Sequence, residues 1–253
     1  MPPIASASGL RDLFQGARHD PAKVVLEGLH AVKHALRFGA AIELVVTPDR
    51  AALLELAAGL APDLLTALGE RAVEVAAELF AGLAPHPPRT GVLALAHRPR
   101  IDAPALLAAA GDAPIVLLQQ PSDLGNIGAA IRVAAAAGAG GLVTTGRHDP
   151  WHPVAVRGAA GLQFALPVAR IEHLPATPRP LVALHGAGEP IHGQALPPGT
   201  ILAFGSERGG LDAELLARAD RVVAIPMRPG VSSLNLATAV AVSLYAWIRP
   251  PRA

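Results

Sequence analysis

The fold class is decided by the stretch IVLLQQPSDLGNIGAAIRVAAAAGAGGLVTT, residues 115–145. It contains a continuous apolar run of strand length, Ile115–Gln119, then a helical pattern, Ile127–Ala137, and a second apolar run, Gly141–Thr145. Apolar runs separated by helices are typical of a parallel sheet that is covered on both faces. Ligands bind beyond the carboxyl ends of the strands in such sheets. The loops that follow these runs are therefore the candidate functional sites.

The same alternation continues towards the C-terminus. Further apolar runs predict strands at Pro180–Leu184, Thr200–Phe204 and Arg221–Ile225. Helical patterns follow at Ala213–Ala219 and Leu234–Trp247. We therefore predict one α/β domain over residues 105–253.

The N-terminal half predicts a smaller α/β domain over residues 21–104. Its expected helices and strands lie at Glu27–Phe38, Ile42–Thr47, Ala51–Ala58, Ala76–Leu83 and Val92–Ala96, of which the second and the last are strands. The stretch His97–Pro114 contains several prolines and predicts the connection between the domains. Residues 1–20 have little periodicity, so we expect a loosely held extension and regular structure from about Lys23.

The composition excludes several classes of protein. Apolar residues make up 51% of the 253, cysteine is absent and the net charge is +1. The longest strongly apolar stretch, Leu236–Ile248, has 13 residues, whereas a membrane helix needs about 20. The N-terminus lacks the basic start and apolar run of a secretory signal. We expect a cytoplasmic protein without disulfides or thiolate sites, and no basic tail indicates nucleic-acid binding.

The first informative loop is PSDLGNIGAAIRVA, residues 121–134. Asn126 is a good helix N-cap, and a helix N-terminus favours an anion. Arg132 lies four residues after Gly128 and shares its helix face, which leaves room for a phosphate or a ribose. A purely structural interpretation also fits, in which Asn126 only caps, Gly128 only packs and Arg132 is only solvated.

The second loop lies in ILAFGSERGGLDAELL, residues 201–216. Three glycines in six positions allow the backbone to approach a ligand closely. We interpret Glu207 as a hydrogen-bond acceptor for a neighbour such as Arg132. The alternative is an ordinary turn, with Glu207 on the surface and Asp212 as the next N-cap.

The third loop lies in VVAIPMRPGVSSLNLATAVAVSLYAW, residues 222–247. A strand ends at Ile225-Pro226, and the segment Ser232–Asn235 is expected to open a long helix. Two serines at a helix start are usually caps. Asn235 just inside a helix is unfavourable by propensity, which indicates a polar role.

Together, in this order and at these distances, the three loops resemble the motifs of the SpoU or TrmH-like branch of the SPOUT RNA methyltransferases. The first motif, N-x-G-x-x-x-R, is matched by Asn126, Gly128 and Arg132. The second, G-[NS]-E-x-x-G, is matched by Gly205, Ser206, Glu207 and Gly210. The third, I-P-M followed by S-L-N, is matched by Ile225, Pro226, Met227, Ser233, Leu234 and Asn235. The resemblance covers about residues 112–248, and Glu27–Leu36 and His86–Ala94 resemble the L30e-like RNA-binding domain of many members.

The resemblance implies a fold and an activity. The fold is a SPOUT α/β-knot, a parallel sheet with a deep trefoil knot, preceded by a small α/β L30e-like domain. The activity is methyl transfer from S-adenosylmethionine to a ribose 2′-hydroxyl of RNA, without a metal, in a homodimer whose active site lies near the subunit interface. The implied cofactor-binding residues are Gly205, Ile225 and Leu234. The implied catalytic residues are Arg132, Asn126, Glu207, Ser233 and Asn235.

Two features qualify the resemblance. Ala159 stands where the family often has a serine, so any hydrogen bond from that hydroxyl is missing. Because the net charge is only +1, phosphate attraction has to come from arginines, for which we expect Arg132, Arg147, Arg157 and Arg208. We expect Arg132 to clamp a phosphate and to stabilise developing oxyanion charge, since a guanidinium is a poor base.

Other classes of protein fit less well. A nicotinamide oxidoreductase would need G-x-G-x-x-G after the first strand, a nucleotide triphosphatase a Walker A loop, and a metal hydrolase more ligands than the pair His30 and His34. The main rival is an RNA-binding module of the same fold without activity. For an enzyme, the N-terminal domain favours 23S ribosomal RNA as substrate, with tRNA as the alternative and no role for DNA.

Overall fold

The structure is a computed structural model that describes residues 7–192 and 194–247. It divides into two compact units. Unit 1 comprises the chain up to Arg100 together with Trp151–Ala165, and unit 2 comprises Ile101–Pro150 and the chain from Leu166 onwards. The sequence predicted a single boundary between residues 104 and 105. It did not predict that the segment Trp151–Ala165 packs with the N-terminal half.

Helices and strands alternate along the described residues. The strands are β1 (Lys23–Glu27), β2 (Ile42–Thr47), β3 (Ala72–Glu74), β4 (Leu93–His97), β5 (Ile115–Leu118), β6 (Gly141–Thr144), β7 (Val168–Arg170), β8 (Leu181–Pro190), β9 (Ile201–Phe204) and β10 (Arg221–Ala224). The helices are α1 (Ala7–Ala17), α2 (Leu29–Arg37), α3 (Arg50–Leu60), α4 (Leu65–Arg71), α5 (Ala77–Ala81), α6 (Ala103–Ala108), α7 (Leu124–Ala136), α8 (Pro153–Gly158), α9 (Ala213–Arg218) and α10 (Leu236–Trp247). Short 3-10 turns lie at Pro62–Leu64 and Leu162–Phe164. None of the described helices is both long and apolar enough to cross a membrane.

Unit 1 is built on a four-stranded sheet in the order β1-β4-β2-β3. Strand β4 is antiparallel to β1 and β2, whereas β2 and β3 are parallel. Helix α1 corrects the prediction of a loosely held extension, because Leu10, Phe14 and Ala17 are buried in the core of this unit. Their spacing gives one narrow apolar stripe on a helix. Polar residues separate the members of this stripe, so the local pattern of the sequence did not clearly indicate a helix here.

The segment Trp151–Ala165 is attached to unit 1 by ionic and backbone contacts. The buried carboxylate of Glu27 accepts hydrogen bonds from Nη1 of Arg157 at 2.7 Å and from Nη1 of Arg18 at 2.8 Å. Nδ1 of His34 donates to the carbonyl oxygen of Ala160 at 2.7 Å. Burial lowers the pKa of His34, although this hydrogen bond acts in the opposite direction. Arg157 is therefore an ion-pair partner in unit 1, and its role in phosphate attraction stays a prediction.

Unit 2 contains a six-stranded sheet in the order β10-β8-β9-β5-β6-β7, and every neighbouring pair is parallel. The predicted parallel α/β fold is confirmed, while the trefoil knot stays a prediction. The chain order reverses between β5 and β9, which lie side by side although residues 119–200 separate them in sequence. Loops that follow two such strands form a crevice at the sheet edge. The crevice next to β5 and β9 is thus where the fold favours a ligand.

Candidate active site

Helix α7, which follows the loop after β5, begins at Leu124 and not at Ile127 as the sequence predicted. Asp123, and not Asn126, is the N-cap: its Oδ1 accepts a hydrogen bond from the backbone N–H of Asn126 at 2.7 Å. Aspartate caps a helix as well as asparagine does, so the sequence alone did not decide between them. Asn126 lies inside the first turn, and its side chain is free to contact another loop.

The loop after β9 folds back on itself. The backbone N–H of Ser206 donates to the carbonyl of Gly210 at 3.1 Å, and the N–H of Gly210 donates to the carbonyl of Ser206 at 3.0 Å. A Cβ atom on Gly205 would lie 2.0 Å from the carbonyl carbon of Gly210. Gly205 is therefore required for closure of the loop itself, and the closed loop presents the side chain of Glu207.

Glu207 accepts three hydrogen bonds from the loop after β5. Its Oε1 binds Nδ2 of Asn126 at 2.8 Å, and its Oε2 binds the backbone N–H of Ser122 at 2.8 Å and the hydroxyl of Ser122 at 2.7 Å. Partial burial by itself would raise the pKa of Glu207, but these hydrogen bonds to Asn126 and Ser122 lower it to about 2. The carboxylate is thus ionised at neutral pH. The predicted partner Arg132 is not among its contacts, so that prediction was wrong.

The loop before α10 joins the same network. Nδ2 of Asn235 donates to Oδ1 of Asn126 at 2.8 Å. Oδ1 of Asn235 accepts from the backbone N–H groups of Ala237 and Thr238 at 3.0 and 3.3 Å. Asn235 therefore precedes helix α10 and caps it, which corrects its predicted place inside the helix. The polar role inferred for it is compatible with this position, because its amide uses one end for the cap and the other for Asn126.

A cavity of about 180 Å³ lies beside this network in unit 2. The loop after β9 contributes Gly205 and Glu207, and the loop after β10 contributes Ile225, Ser233 and Leu234. These five residues include all three predicted cofactor-binding residues and two of the predicted catalytic ones. The fold thus brings predicted site residues from two separate loops to one cavity.

Part of the cavity wall comes from an irregular stretch of β8. Ala183 pairs with Val222, yet the next paired residue of β8 is Glu189, opposite Val223. Because residues 184–188 lie outside the ladder, Leu184, His185 and Gly186 line the cavity. The apolar run of the sequence ended at Leu184 and gave no signal for His185. The bulge requires a glycine at Gly188, where a Cβ atom would lie 2.6 Å from the carbonyl carbon of Val223.

Arg132 is the predicted site residue that the structure does not bring into the network. Its side chain is exposed, and it forms no hydrogen bond or ion pair with any residue between 7 and 247 that the structure describes. Gly128 is buried, so the open space predicted on the shared helix face is not present. Ala159 is buried at the end of α8 in unit 1 and does not line the cavity.

The cavity suits a ligand with apolar and polar parts. Apolar walls come from Leu184, Phe204, Ile225 and Leu236. The backbone N–H groups of Ser233 and Leu234 bind no acceptor within the described part of the chain. Free N–H groups of this kind can bind a nucleoside or a carboxylate ligand. No group of three metal-ligating side chains occurs in the described ranges.

Comparisons with known proteins identify the family of the chain. The model of the SpoU rRNA methylase family matches residues 113–245, which is more than half of the chain and includes all three loops. A 23S rRNA (uridine(2479)-2′-O)-methyltransferase of Streptomyces viridochromogenes is 35% identical over 148 residues, which are 53% of this chain and 52% of that protein. The chain spans about half the length of the first curated relatives that it matches.

Other relatives extend over nearly the whole chain. The 23S rRNA (guanosine(2553)-2′-O)-methyltransferase RlmP of Bacillus subtilis is 28% identical and aligns over 87% of this chain and 86% of its own length. The crystal structure of the SpoU methyltransferase AviRb from Streptomyces viridochromogenes with AdoMet has a TM-score of 0.76 at 27% identity, covering 96% of each chain. An AdoMet-bound rRNA methyltransferase from Sinorhizobium meliloti has a TM-score of 0.75 at 28% identity, covering 97% of this chain and 94% of that one. The resemblance seen in the three loops is confirmed: the chain belongs to the SpoU rRNA methylase family.

Proposed function

We propose that the protein transfers a methyl group from S-adenosylmethionine to a ribose 2′-hydroxyl of RNA, and that the RNA is 23S ribosomal RNA. The observation that carries the proposal is the hydrogen-bonded series Asn235, Asn126, Glu207 and Ser122 beside the cavity. It joins the three loops that match the family's motifs. Hydrogen bonds that join several loops in this way preorganise a site before its ligand arrives.

The cavity residues fit the proposed cofactor. The apolar side chains Leu184, Ile225 and Leu236 offer a surface for an adenine ring, and the free N–H groups of Ser233 and Leu234 offer donors to its polar atoms. When bound, the cofactor supplies an electrophilic methyl group on a sulfonium. In the reaction the ribose oxygen forms a bond to that methyl carbon, the carbon–sulfur bond breaks, and the hydroxyl proton is released. The protein has to align the two reactants and stabilise the charge that develops on the oxygen.

The residues divide this work according to their chemistry. Arg132 is exposed and unpaired within the described chain, so its guanidinium is available for an RNA phosphate. Ser233 lines the cavity and is placed to orient the ribose. Glu207 is a weak base because its pKa is about 2. Its role is to hold Asn126, which in turn holds Asn235, and all three act on the geometry of the site.

The choice of ribosomal RNA is supported by the relatives that align over most of the chain. The relative from Bacillus subtilis is named a 23S rRNA methyltransferase, and its alignment covers 87% of this chain, which includes most of unit 1. We assign to unit 1 the task of binding the RNA, as for an L30e-like domain. This substrate places the protein in the cytoplasm.

A homodimer is part of the proposal. Large apolar side chains remain exposed next to the cavity and on α10, with exposures of 49% for Val231, 37% for Leu234 and 56% for Tyr245. Large apolar side chains that are exposed can form an interface with a partner. A second copy that covers them would place its own surface next to the active site.

The test is methyl transfer from labelled S-adenosylmethionine to ribosomal RNA and to tRNA, each isolated from cells that lack the modification. A labelled 2′-O-methyl nucleotide in 23S ribosomal RNA is the expected product, and its position is then mapped. A product only in tRNA would overturn the choice of substrate. If the protein binds both RNA pools and transfers no methyl group to either, the catalytic proposal fails and an RNA-binding module replaces it. Calorimetric titration with S-adenosylmethionine, which we expect to bind, separates a cofactor defect from a substrate defect.

A further inference from the structure

Two arginines lie side by side beyond the carboxyl ends of β6 and β7, outside the cavity. Arg147 is in the loop that follows β6, and Arg170 is the last residue of β7. Nη1 of Arg170 lies 3.4 Å from the carbonyl oxygens of both Gly146 and Arg147. Nε of Arg147 donates to Nε2 of His148 at 3.2 Å. Both arginine side chains are exposed, so the fold presents two neighbouring positive charges to solvent.

Within the described residues, these two arginines have no acidic partner. Neither guanidinium lies within 4.0 Å of a carboxylate in the described ranges, and their only polar contacts are the carbonyls and the imidazole just named. The guanidinium of Arg170 lies against the backbone of Arg147, and exposed guanidinium groups without a carboxylate partner can bind an anion. The arrangement therefore favours an anionic ligand.

Two other arginines of unit 2 are held by short hydrogen bonds to backbone carbonyls, which is typical of a structural role. Arg179 donates to the carbonyls of Gly199 and Ala109 at 2.8 and 2.7 Å, and Arg218 donates to the carbonyls of Leu174 and Pro175 at 2.8 and 2.9 Å. The contacts of Arg170 are longer, at 3.4 Å, which is beyond the usual range of 2.7–3.2 Å for a strong N–H···O bond. Arg170 is thus loosely attached, and its Nε and Nη2 groups remain free to bind a ligand.

The arginine pair is connected to the candidate active site through the backbone of unit 2. A Cβ atom on Gly146 would lie 3.2 Å from Cα of Gln120, so the loop after β6 packs on the loop after β5. Gln120 has a left-handed backbone with φ of 48°, and its N–H donates to Oγ1 of Thr145 at 3.0 Å. Two residues later, Ser122 binds Glu207. A strained residue such as Gln120 persists where neighbouring contacts hold it, so the pair and the site share one fixed edge of the sheet.

We propose that Arg147 and Arg170 bind backbone phosphates of the RNA strand next to the target nucleotide. This proposal rests on the proposed function and adds a phosphate-binding surface to it. Strand β7 is two strands away from β5, or about 10 Å at the usual strand spacing. A strand whose target ribose enters the crevice next to β5 can therefore place a neighbouring phosphate at the arginine pair.

The salt dependence of RNA binding tests this surface. Each phosphate contact contributes about 0.7 to the slope of log K against log salt concentration for a single strand. For the double variant R147A/R170A we expect that slope to decrease in magnitude by about 1.4. We expect KM for RNA to rise while kcat at saturating RNA is unchanged. Affinity for S-adenosylmethionine and thermal stability should stay at the wild-type values, because both side chains are exposed.

Two control variants make the result specific. R147K/R170K keeps both charges and should keep the slope, although the fork geometry of arginine is lost. E214Q removes an exposed charge from α9 in unit 2, away from the cavity, and should leave kcat, KM and the slope unchanged. A wild-type slope in R147A/R170A would overturn the proposal. If the wild-type protein binds RNA but transfers no methyl group, the proposed function fails, whereas the slope measurement still decides whether this surface binds phosphate.

Discussion

Asn235 and Asn126 are 109 residues apart in sequence, and the amide of one donates to the amide oxygen of the other at 2.8 Å. The amide oxygen of Asn235 caps α10, while the amide N–H of Asn126 donates a hydrogen bond to Glu207. One pair of side chains therefore fixes the start of α10 relative to the loop after β9. The orientation of each amide is determined by its neighbours on both sides.

The first prediction concerns Asn235→Asp. The aspartate keeps an oxygen for the helix cap but cannot donate to Asn126. We expect the thermal midpoint to change by no more than about 2 °C, and kcat to fall about tenfold, since only the link between the loops is lost. The variant N235A should also lose the cap, at a cost of about 1 kcal/mol. Urea unfolding together with methyl-transfer kinetics distinguishes the two, and wild-type kcat in N235D would show that the link has no part in catalysis.

The second prediction concerns Arg132→Ala. Because the exposed side chain of Arg132 forms no hydrogen bond or ion pair with a described residue and does not line the cavity, its loss should not alter the fold or the cavity. If it clamps the phosphate and stabilises the developing charge, kcat/KM should fall by at least about 10²-fold. Affinity for S-adenosylmethionine, measured by calorimetry, should stay within about twofold. Undiminished methyl transfer would remove Arg132 from the catalytic residues.

The third prediction concerns pH and Glu207. Its pKa is lowered from 4.5 to about 2 in the folded protein, so the unfolded chain takes up this proton at a higher pH than the native chain does. The stabilisation by its hydrogen bonds is thus complete above about pH 4.5 and is lost as the pH falls towards 2. Wild type should exceed E207Q in unfolding midpoint by a constant amount from pH 8 to 5.

Below about pH 4.5 that difference should shrink. The matched variant E214Q changes an exposed glutamate in the first turn of α9, and its difference from wild type should not follow this pattern. We also expect that the titration of Glu207 causes no loss of activity between pH 6 and pH 4.5. A difference between wild type and E207Q that is already lost at pH 6 would contradict the lowered pKa.

The fourth prediction compares two glycines that both have positive φ. Gly161 has φ of 76°, and a Cβ atom there would lie 2.5 Å from the carbonyl oxygen of Ala31. Gly138 has φ of 70°, and a Cβ atom there would meet nothing within 4 Å. For G138A we expect the free energy of unfolding to fall by about 1–2 kcal/mol, because alanine is unfavourable in the left-handed backbone conformation. G161A should cost at least about 2 kcal/mol more, measured by urea unfolding, because the 3-10 turn has to move away from α2. Equal losses would mean that this contact is not tight in solution.

The sequence predicted the second unit better than the first. Continuous apolar runs marked β5, β9 and β10 to within a residue or two at their ends, because strands buried on both faces leave such runs. Strand β1 was missed, since KVVLE directly precedes a helix and its pattern merged with it. Of the five predicted catalytic residues, Asn126, Glu207 and Asn235 share one hydrogen-bond network and Ser233 lines the cavity, whereas Arg132 does neither.

Several features of the site and the fold were not predicted, because the local sequence pattern does not determine them. The cap at Asp123 is indistinguishable by propensity from one at Asn126. The acceptor role of Glu207 was inferred, but its partner was not, because Ser122 carries no signal beyond its position in a loop. The bulge in β8 depends on the close approach of Gly188 to Val223. A pairing of Arg157 with Glu27 across 130 residues leaves no local pattern at all.

The interleaved composition of unit 1 has a consequence for the order in which the protein forms on the ribosome. Synthesis proceeds from the N-terminus, and domains generally fold as they emerge. Unit 1 cannot be completed until Trp151–Ala165 has been synthesised. By then the part of the chain that includes β5, α7 and β6 has already been synthesised. Among the described residues, Arg18 is the only ion-pair partner of Glu27 until Arg157 emerges. The N-terminal unit is therefore the first to begin folding, yet it is completed only after a large part of its neighbour has left the ribosome.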